Sequence, residues 1–162
     1  MHNENIHDES IHGTRAIDLY VAAIDLSVAP IDLSVAPIDL SVLAGLREFD
    51  NEGDPDLVAE LAVIFFQDTV ERLRSLRRAI DFADAAGIES EAHSLKGSSA
   101  SLGAVGMSLL CGELEAKGRA GAIEGAGALE SASEALSQIE EEFGRARAIL
   151  EADISSESYP LV

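Results

Sequence analysis

Beyond about residue 40, apolar side chains recur at alternating steps of three and four, the spacing that gathers them on one face of an α-helix. The last stripe is the cleanest: Leu129, Ala132, Leu136, Ile139, Phe143, Ala146 and Leu150, in a segment running to about Ala152. Earlier segments repeat the pattern. Ser41–Phe49 makes a short amphipathic helix with Val42, Leu43 and Leu46 on one side, and Asp50–Gly53 reads as a polar turn. Asp54 offers a cap and Pro55 a first helical position, where a missing N–H costs nothing. The next helix places Leu57, Leu61, Ile64 and Phe65 on one face. It continues or bends near Gln67–Thr69 into a run with Val70, Leu73, Leu76, Ile80 and Ala83, and stops at Gly87. A helix over about Ile88–Leu102 closes at Gly103, and one over about Val105–Arg119 closes at Gly121.

No run after residue 43 reads as a strand with hairpin signals, and connections of a few residues force successive helices antiparallel. The expected fold is therefore all-α, an up-and-down four-helix bundle with an additional short N-terminal helix and a low-complexity N-terminal extension. The bundle takes residues 39–152, the extension 1–38 and a C-terminal tail 153–162. Within the extension a seven-residue unit recurs, IDLYVAA, IDLSVAP, IDLSVAP and IDLSVLA, with Asp18, Asp25, Asp32 and Asp39 in register. A heptad suggests a coiled coil, yet Pro30 and Pro37 each remove a backbone donor and Ile-x-Leu-x-Val alternates with period two. An extended or irregular linker that lays an apolar edge on the body fits better.

The chain has 162 residues, which suits one domain with some length left over against a soft prior of about 150 residues per domain. With aromatics at only 4% and no Trp, the core must come from Leu, Ile, Val, Ala and a few Phe, a palette that packs readily between helices. Charge changes the picture most. Eleven Lys and Arg against 30 Asp and Glu leave −19, a surface that repels phosphate backbones and anionic lipid. Nucleic acid and membrane surfaces are thus disfavoured and soluble protein partners expected. The repeats also fail as a membrane span, because four Asp are expensive in hydrocarbon. Cys111 is the single cysteine and cannot close an internal disulfide, and no basic and apolar leader opens the chain. A reducing cytoplasm is the expected location.

The segment Ile88–Leu102 is the one that carries chemistry. Ile88, Ala92, Leu95, Ser99 and Leu102 form its inward face, and Glu89, His93, Lys96, Gly97 and Ala100 the opposite one. Solvated helix faces usually carry long Glu and Lys side chains. This one is bare around its only histidine. Gly97 costs about 1 kcal/mol relative to Ala in a helix interior, and it sits one turn from His93, where a side chain would shade the imidazole. Lys96 puts an ammonium beside the same ring, where it discourages a protonated imidazole and attracts an anion bound to it. The set suits a neutral imidazole nitrogen attacking a phosphoryl group. Singly, each residue has a plainer account, an exposed histidine or a packing glycine.

Together they are more specific, because AHSLKGSSASLG at 92–103 resembles the histidine-containing phosphotransfer (HPt) domain family of phosphorelays, whose motif is H-x-x-K-G followed by small residues and a glycine. The resemblance covers roughly residues 39–152. It implies a four-helix bundle whose exposed His93 carries a phosphoryl group between aspartates of receiver domains, on a hybrid kinase or a response regulator. By the same resemblance Lys96 neutralises charge, Gly97 gives the partner clearance, and Ser98 and Gly103 are small positions that pack the helix pair closely. Glu115, in LLCGELE, matches the place of a polar residue that bonds the second imidazole nitrogen. The expected protein is a phosphocarrier and no enzyme in its own right, a monomer that binds no cofactor or metal, with Mg²⁺ supplied by the receiver-domain partner. It has no G-x-x-x-x-G-K-[ST] run and no length for a kinase or receiver domain, so ATP is not its donor. The alternative is a non-catalytic helical adaptor that binds a signalling partner through the Gly97 face.

Other clusters have plainer accounts. Arg72, Arg74, Arg77 and Arg78 can steer an acidic pocket, but a solvated face with partners such as Glu71 and Asp81 is the better reading. His2, His7 and His12 recur every five residues, a spacing that suits metal ligation on neither helix nor strand. Cys111 lies on a stripe with Met107, Leu110 and Leu114, as a core residue does.

Overall fold

Aspartates begin three of the helices. In a computed structural model that describes residues 36–49 and 56–157, the Asp39 side chain accepts from Ser41 N and opens α1 (Leu40–Arg47), and Asp56 accepts from Ala59 N and opens α2 (Leu57–Asp81). Asp84 accepts from Gly87 N and opens α3 (Ala85–Ser101). Each carboxylate satisfies an amide that the first turn leaves without a partner and faces the positive end of the helix dipole. Helices α4 (Val105–Arg119) and α5 (Ala126–Glu157) complete the described set. The chain divides into units Met1–Asp32 and Leu33–Val162, and every described residue belongs to the second.

Helix α2 packs against α3 and α5, and α4 packs against the same two, which closes a four-helix bundle with α1 laid on α2. The interior holds Val58, Leu76, Ile88, Leu95, Met107, Leu114, Ile139 and Leu150, all fully buried. Phe65 of α2 meets Phe143 of α5 edge-on, with ring centroids 5.8 Å apart, the arrangement that ring quadrupoles favour. The stripe expected on α5 is the buried one from Ala132 to Leu150, with Leu129 half-buried at its start.

Several expectations shift. The first three copies of the repeat, read as an extended or irregular linker, and the spaced histidines at 2, 7 and 12 lie outside the described residues apart from Ala36 and Pro37, whereas the fourth copy is helical from Leu40. Asp54 and Pro55 are also outside the described residues, and the observed cap is Asp56. Helix α2 is unbroken through Gln67–Thr69, and its buried face is Val58, Ala62, Phe65, Thr69, Leu73 and Leu76, leaving Ile64 61% exposed. Gly87 does not stop it. The chain turns at Ala83, with φ 51°, and Gly87 stands in the first turn of α3, where a Cβ would fall 2.5 Å from the capping Asp84 carboxylate. Past Ala152, α5 continues to Glu157, and Asp153 pairs with Arg47 of α1.

Three of the four arginines of α2 are held by carboxylates, two of them on other helices: Arg72 by Asp68 and by Glu91 of α3, Arg74 by Glu71, and Arg77 by Glu140 of α5; Arg78 donates to Ser75 Oγ at 3.2 Å. The buried Cys111 thiol is pushed up to about 12 by desolvation, which keeps it protonated and unreactive. Among the described residues, no helix is long and apolar enough to cross a membrane.

Candidate functional site

The inward face of α3 is the one the periodicity predicts. Ile88, Ala92, Leu95 and Ser99 are fully buried, which turns the next face over, with His93, Gly97 and Ala100, into solvent. The His93 side chain is 67% exposed. Among the described residues, a Cβ added to Gly97 would meet nothing within 4 Å. The glycine is therefore not there to let another helix approach, and the surface beside the imidazole is open.

Helix α4 brings the second half of the site. Its axis comes close to α3 because Gly118 has no side chain: a Cβ there would lie 2.6 Å from Glu89 N and 2.9 Å from Ala85 O. One turn before Gly118, Glu115 reaches under the imidazole with its side chain only 4% exposed. Its Oε1 lies 3.0 Å from His93 Nδ1. Lys96 Nζ donates to Oε2 of the same carboxylate, and Arg119 donates to Oε1. Arg119 also donates to Glu89 Oε1 at 2.9 Å. Ser108 Oγ donates to the Lys96 carbonyl at 3.1 Å, and the Lys96 stem runs past Gly112, where a Cβ would stand 3.5 Å from it in ordinary contact.

The electrostatics follow from these contacts. Hydrogen bonds from Lys96 and His93, helped by Arg119, outweigh burial and hold Glu115 well below the ordinary carboxylate range, at about 2. Glu115 is an anion at any working pH and can only accept. The hydrogen between it and the ring is therefore on Nδ1, so the neutral imidazole keeps its lone pair on Nε2. The arrangement presents a nucleophilic nitrogen whose tautomer is fixed from below.

A family model for the Hpt domain matches residues 60–149, more than half of the chain. The chain belongs to the Hpt domain family. Over 69 residues it is 36% identical to histidine-containing phosphotransfer protein 2 of Arabidopsis thaliana, and the match covers 41% of this chain and 44% of that protein. Histidine-containing phosphotransfer protein 5 of the same plant gives the same identity and coverage. The chain thus spans less than half the length of the curated relatives it matches. The crystal structure of histidine-containing phosphotransfer protein B from Pseudomonas aeruginosa is similar with a TM-score of 0.62 at 33% identity, covering 74% of this chain and 95% of that one. A histidine-containing phosphotransfer protein of Medicago truncatula shares the fold, with a TM-score of 0.60 at 23% identity, over 94% of this chain and 99% of that one.

Within this Hpt domain the expected residues do not all sit where the motif suggests. His93, Lys96 and Glu115 form one bonded group, and Gly97 borders it. Lys96 is not a free ammonium waiting for an anion; it is already paired with Glu115. Ser98 donates to the Leu95 carbonyl at 3.2 Å within its own helix. Gly103 does not pack α3 on α4. It makes the turn between them with φ 74°, and a Cβ there would strike the Asp39 carbonyl at 2.7 Å, so its smallness serves α1. The close α3–α4 contact belongs to Gly118, and the second cation on Glu115 is Arg119. Neither stood out in the sequence. The signal was there, since Arg119 is one turn from Glu115 on the same helix face.

Proposed function

We propose that the protein is a phosphocarrier of a multistep phosphorelay, in which His93 takes a phosphoryl group from an aspartyl phosphate on one receiver domain and passes it to an aspartate on another. The observation that carries this reading is the anionic Glu115 bonded to Nδ1 beneath a ring that is 67% exposed. As the Nε2 lone pair forms the N–P bond, the P–O bond to the aspartyl carboxylate breaks and its electron pair leaves on that oxygen. Nδ1 keeps its proton throughout, so the imidazole becomes positive as the bond forms. The Glu115 carboxylate faces that developing charge without rearranging. Lys96, bound to the other oxygen, offsets the repulsion between Glu115 and the incoming phosphoryl oxygens. Transfer onward runs through the same steps in reverse.

The chain supplies position and access; the receiver brings the Mg²⁺ and the electrophilic phosphoryl group. The surface fits such a partner. Gly97 and Ala100 leave the flank of His93 low, and on α4 Leu109 and Val105, 58% and 42% exposed, add apolar area one and two turns from Gly112, which abuts Lys96. This reading carries with it a cytoplasmic, monomeric carrier that draws its phosphoryl group from a receiver rather than from ATP.

The test mixes purified protein with a phosphorylated receiver domain. Wild type takes an acid-labile, base-stable label and His93→Gln takes none. Equal labelling of both removes His93 as the acceptor. A biological role that survives intact in His93→Gln points instead to a non-catalytic adaptor on the Gly97 face.

A further inference from the structure

The Glu115 carboxylate has to point one particular oxygen at Nδ1, and a terminal carboxylate torsion is soft, with a broad profile and little preference of its own. Lys96 alone, bound to Oε2, leaves Oε1 free to swing away from the ring. Arg119 is bound to Oε1, the oxygen that His93 uses. Its guanidinium is in turn tied to Glu89 on α3. Glu89, His93 and Lys96 stand at intervals of four and three along α3, so they share a face. Lys96 grips the carboxylate from the C-terminal side of the ring, and Arg119, anchored on Glu89, from the N-terminal side.

We propose that Arg119 is a positioning residue of this site: fixed on Glu89 and bound to Glu115, it holds Oε1 under Nδ1 and thereby keeps the lone pair of His93 on Nε2. The planar fork of an arginine suits this task, because one group binds two carboxylates in fixed directions. Gly118, next to it in sequence, lets the α4 backbone approach Glu89 closely enough for that span. The bond is not a device for stability. Arg119 is 61% exposed and Glu89 37%, and ion pairs so exposed to water contribute little to folding.

The tautomer part of this inference stands on the geometry alone, and its effect on rate rests on the phosphocarrier reading. Imidazole ¹⁵N spectra of the full chain at alkaline pH, in which each ring nitrogen reports whether it carries the hydrogen, separate the two. Wild type shows His93 mainly as the Nδ1–H form. Arg119→Gln shifts the ring toward a mixture with the Nε2–H form, and Arg119→Lys falls between. Labelling of Arg119→Gln by a phosphorylated receiver slows about fivefold, the equivalent of roughly 1 kcal/mol in the barrier. An Arg119→Gln spectrum identical to wild type overturns the inference, whatever the rate. Failure of wild type to take label overturns the phosphocarrier reading and leaves the tautomer result standing.

Discussion

A glycine in the middle of a helix weakens the helix, and at Gly97 nothing nearby repays that. Among the described residues, no atom outside its own helix lies within 4 Å of a Cβ placed there, so the bundle has no use for the missing side chain. On the phosphocarrier proposal, the benefit lies with the partner that approaches His93 from outside. Gly97→Leu should therefore move two properties in opposite directions. Helix propensity raises stability by about 0.5–1 kcal/mol, seen as a higher melting temperature, while the new side chain shades the imidazole and slows phosphoryl transfer about tenfold, or roughly 1.4 kcal/mol in the barrier. A faster or unchanged transfer would mean that the partner does not dock over this position.

Glu115 makes a related point. Its type and spacing allowed a solvated helix face as readily as a partner for His93, because side-chain chemistry alone does not say which way a residue points. Burial to 4%, with both oxygens occupied, distinguishes the two.

At the scale of elements, the site depends on how closely α3 and α4 approach each other. Gly118 sets that distance, with Glu89 N and Ala85 O where a Cβ would stand. Gly118→Ala should cost about 1–3 kcal/mol through overpacking, read by denaturant melts. It should also lengthen the His93–Glu115 contact and shift the His93 ring resonances. Gly118→Ala with wild-type stability would show that the helices separate freely.

Helix existence was legible from periodicity, and so were the buried faces of α3 and α5, where apolar residues make a single stripe. On α2 the pattern misled. LVAELAVIFF at 57–66 contains two overlapping stripes, and Leu57, Leu61 and Ile64 satisfy helical spacing as well as Val58, Ala62 and Phe65 do. What selects the second is the position of Phe143 on α5, which pairs with Phe65, a contact between residues far apart in the chain. The turn at Ala83 was misplaced for a similar reason. Gly87 is the usual stop signal, but Asp84 caps the next helix first and takes the space beside Gly87.

Over the whole molecule, the charge of −19 at pH 7 sets the background against which each ion pair acts. The exposed pairs, such as Arg74–Glu71 and Arg147–Glu151, contribute little each, while self-repulsion opposes the compact state throughout. Raising NaCl from low to physiological ionic strength should stabilise the protein by about 1 kcal/mol, or roughly 2–4 °C in melting temperature. A fall in melting temperature would mean that the ion pairs outweigh the repulsion.

From the order of its residues alone, the chain specified an all-helical bundle, the inward face of α3 and the exposed histidine with lysine and glycine beside it. Those are local properties, written at intervals of three, four and seven residues along one helix. The apposition of α3 and α4 at Gly118 determined the rest: the placing of Glu115 beneath Nδ1, the pairing of Lys96 and Arg119 on its two oxygens, and so the nitrogen that keeps the lone pair. Arg119 and Glu115 are four positions apart on one helix, but the contacts that cross between α3 and α4 join residues 19 to 30 positions apart. No periodicity within a helix encodes such a distance, because it is fixed only when two backbones meet.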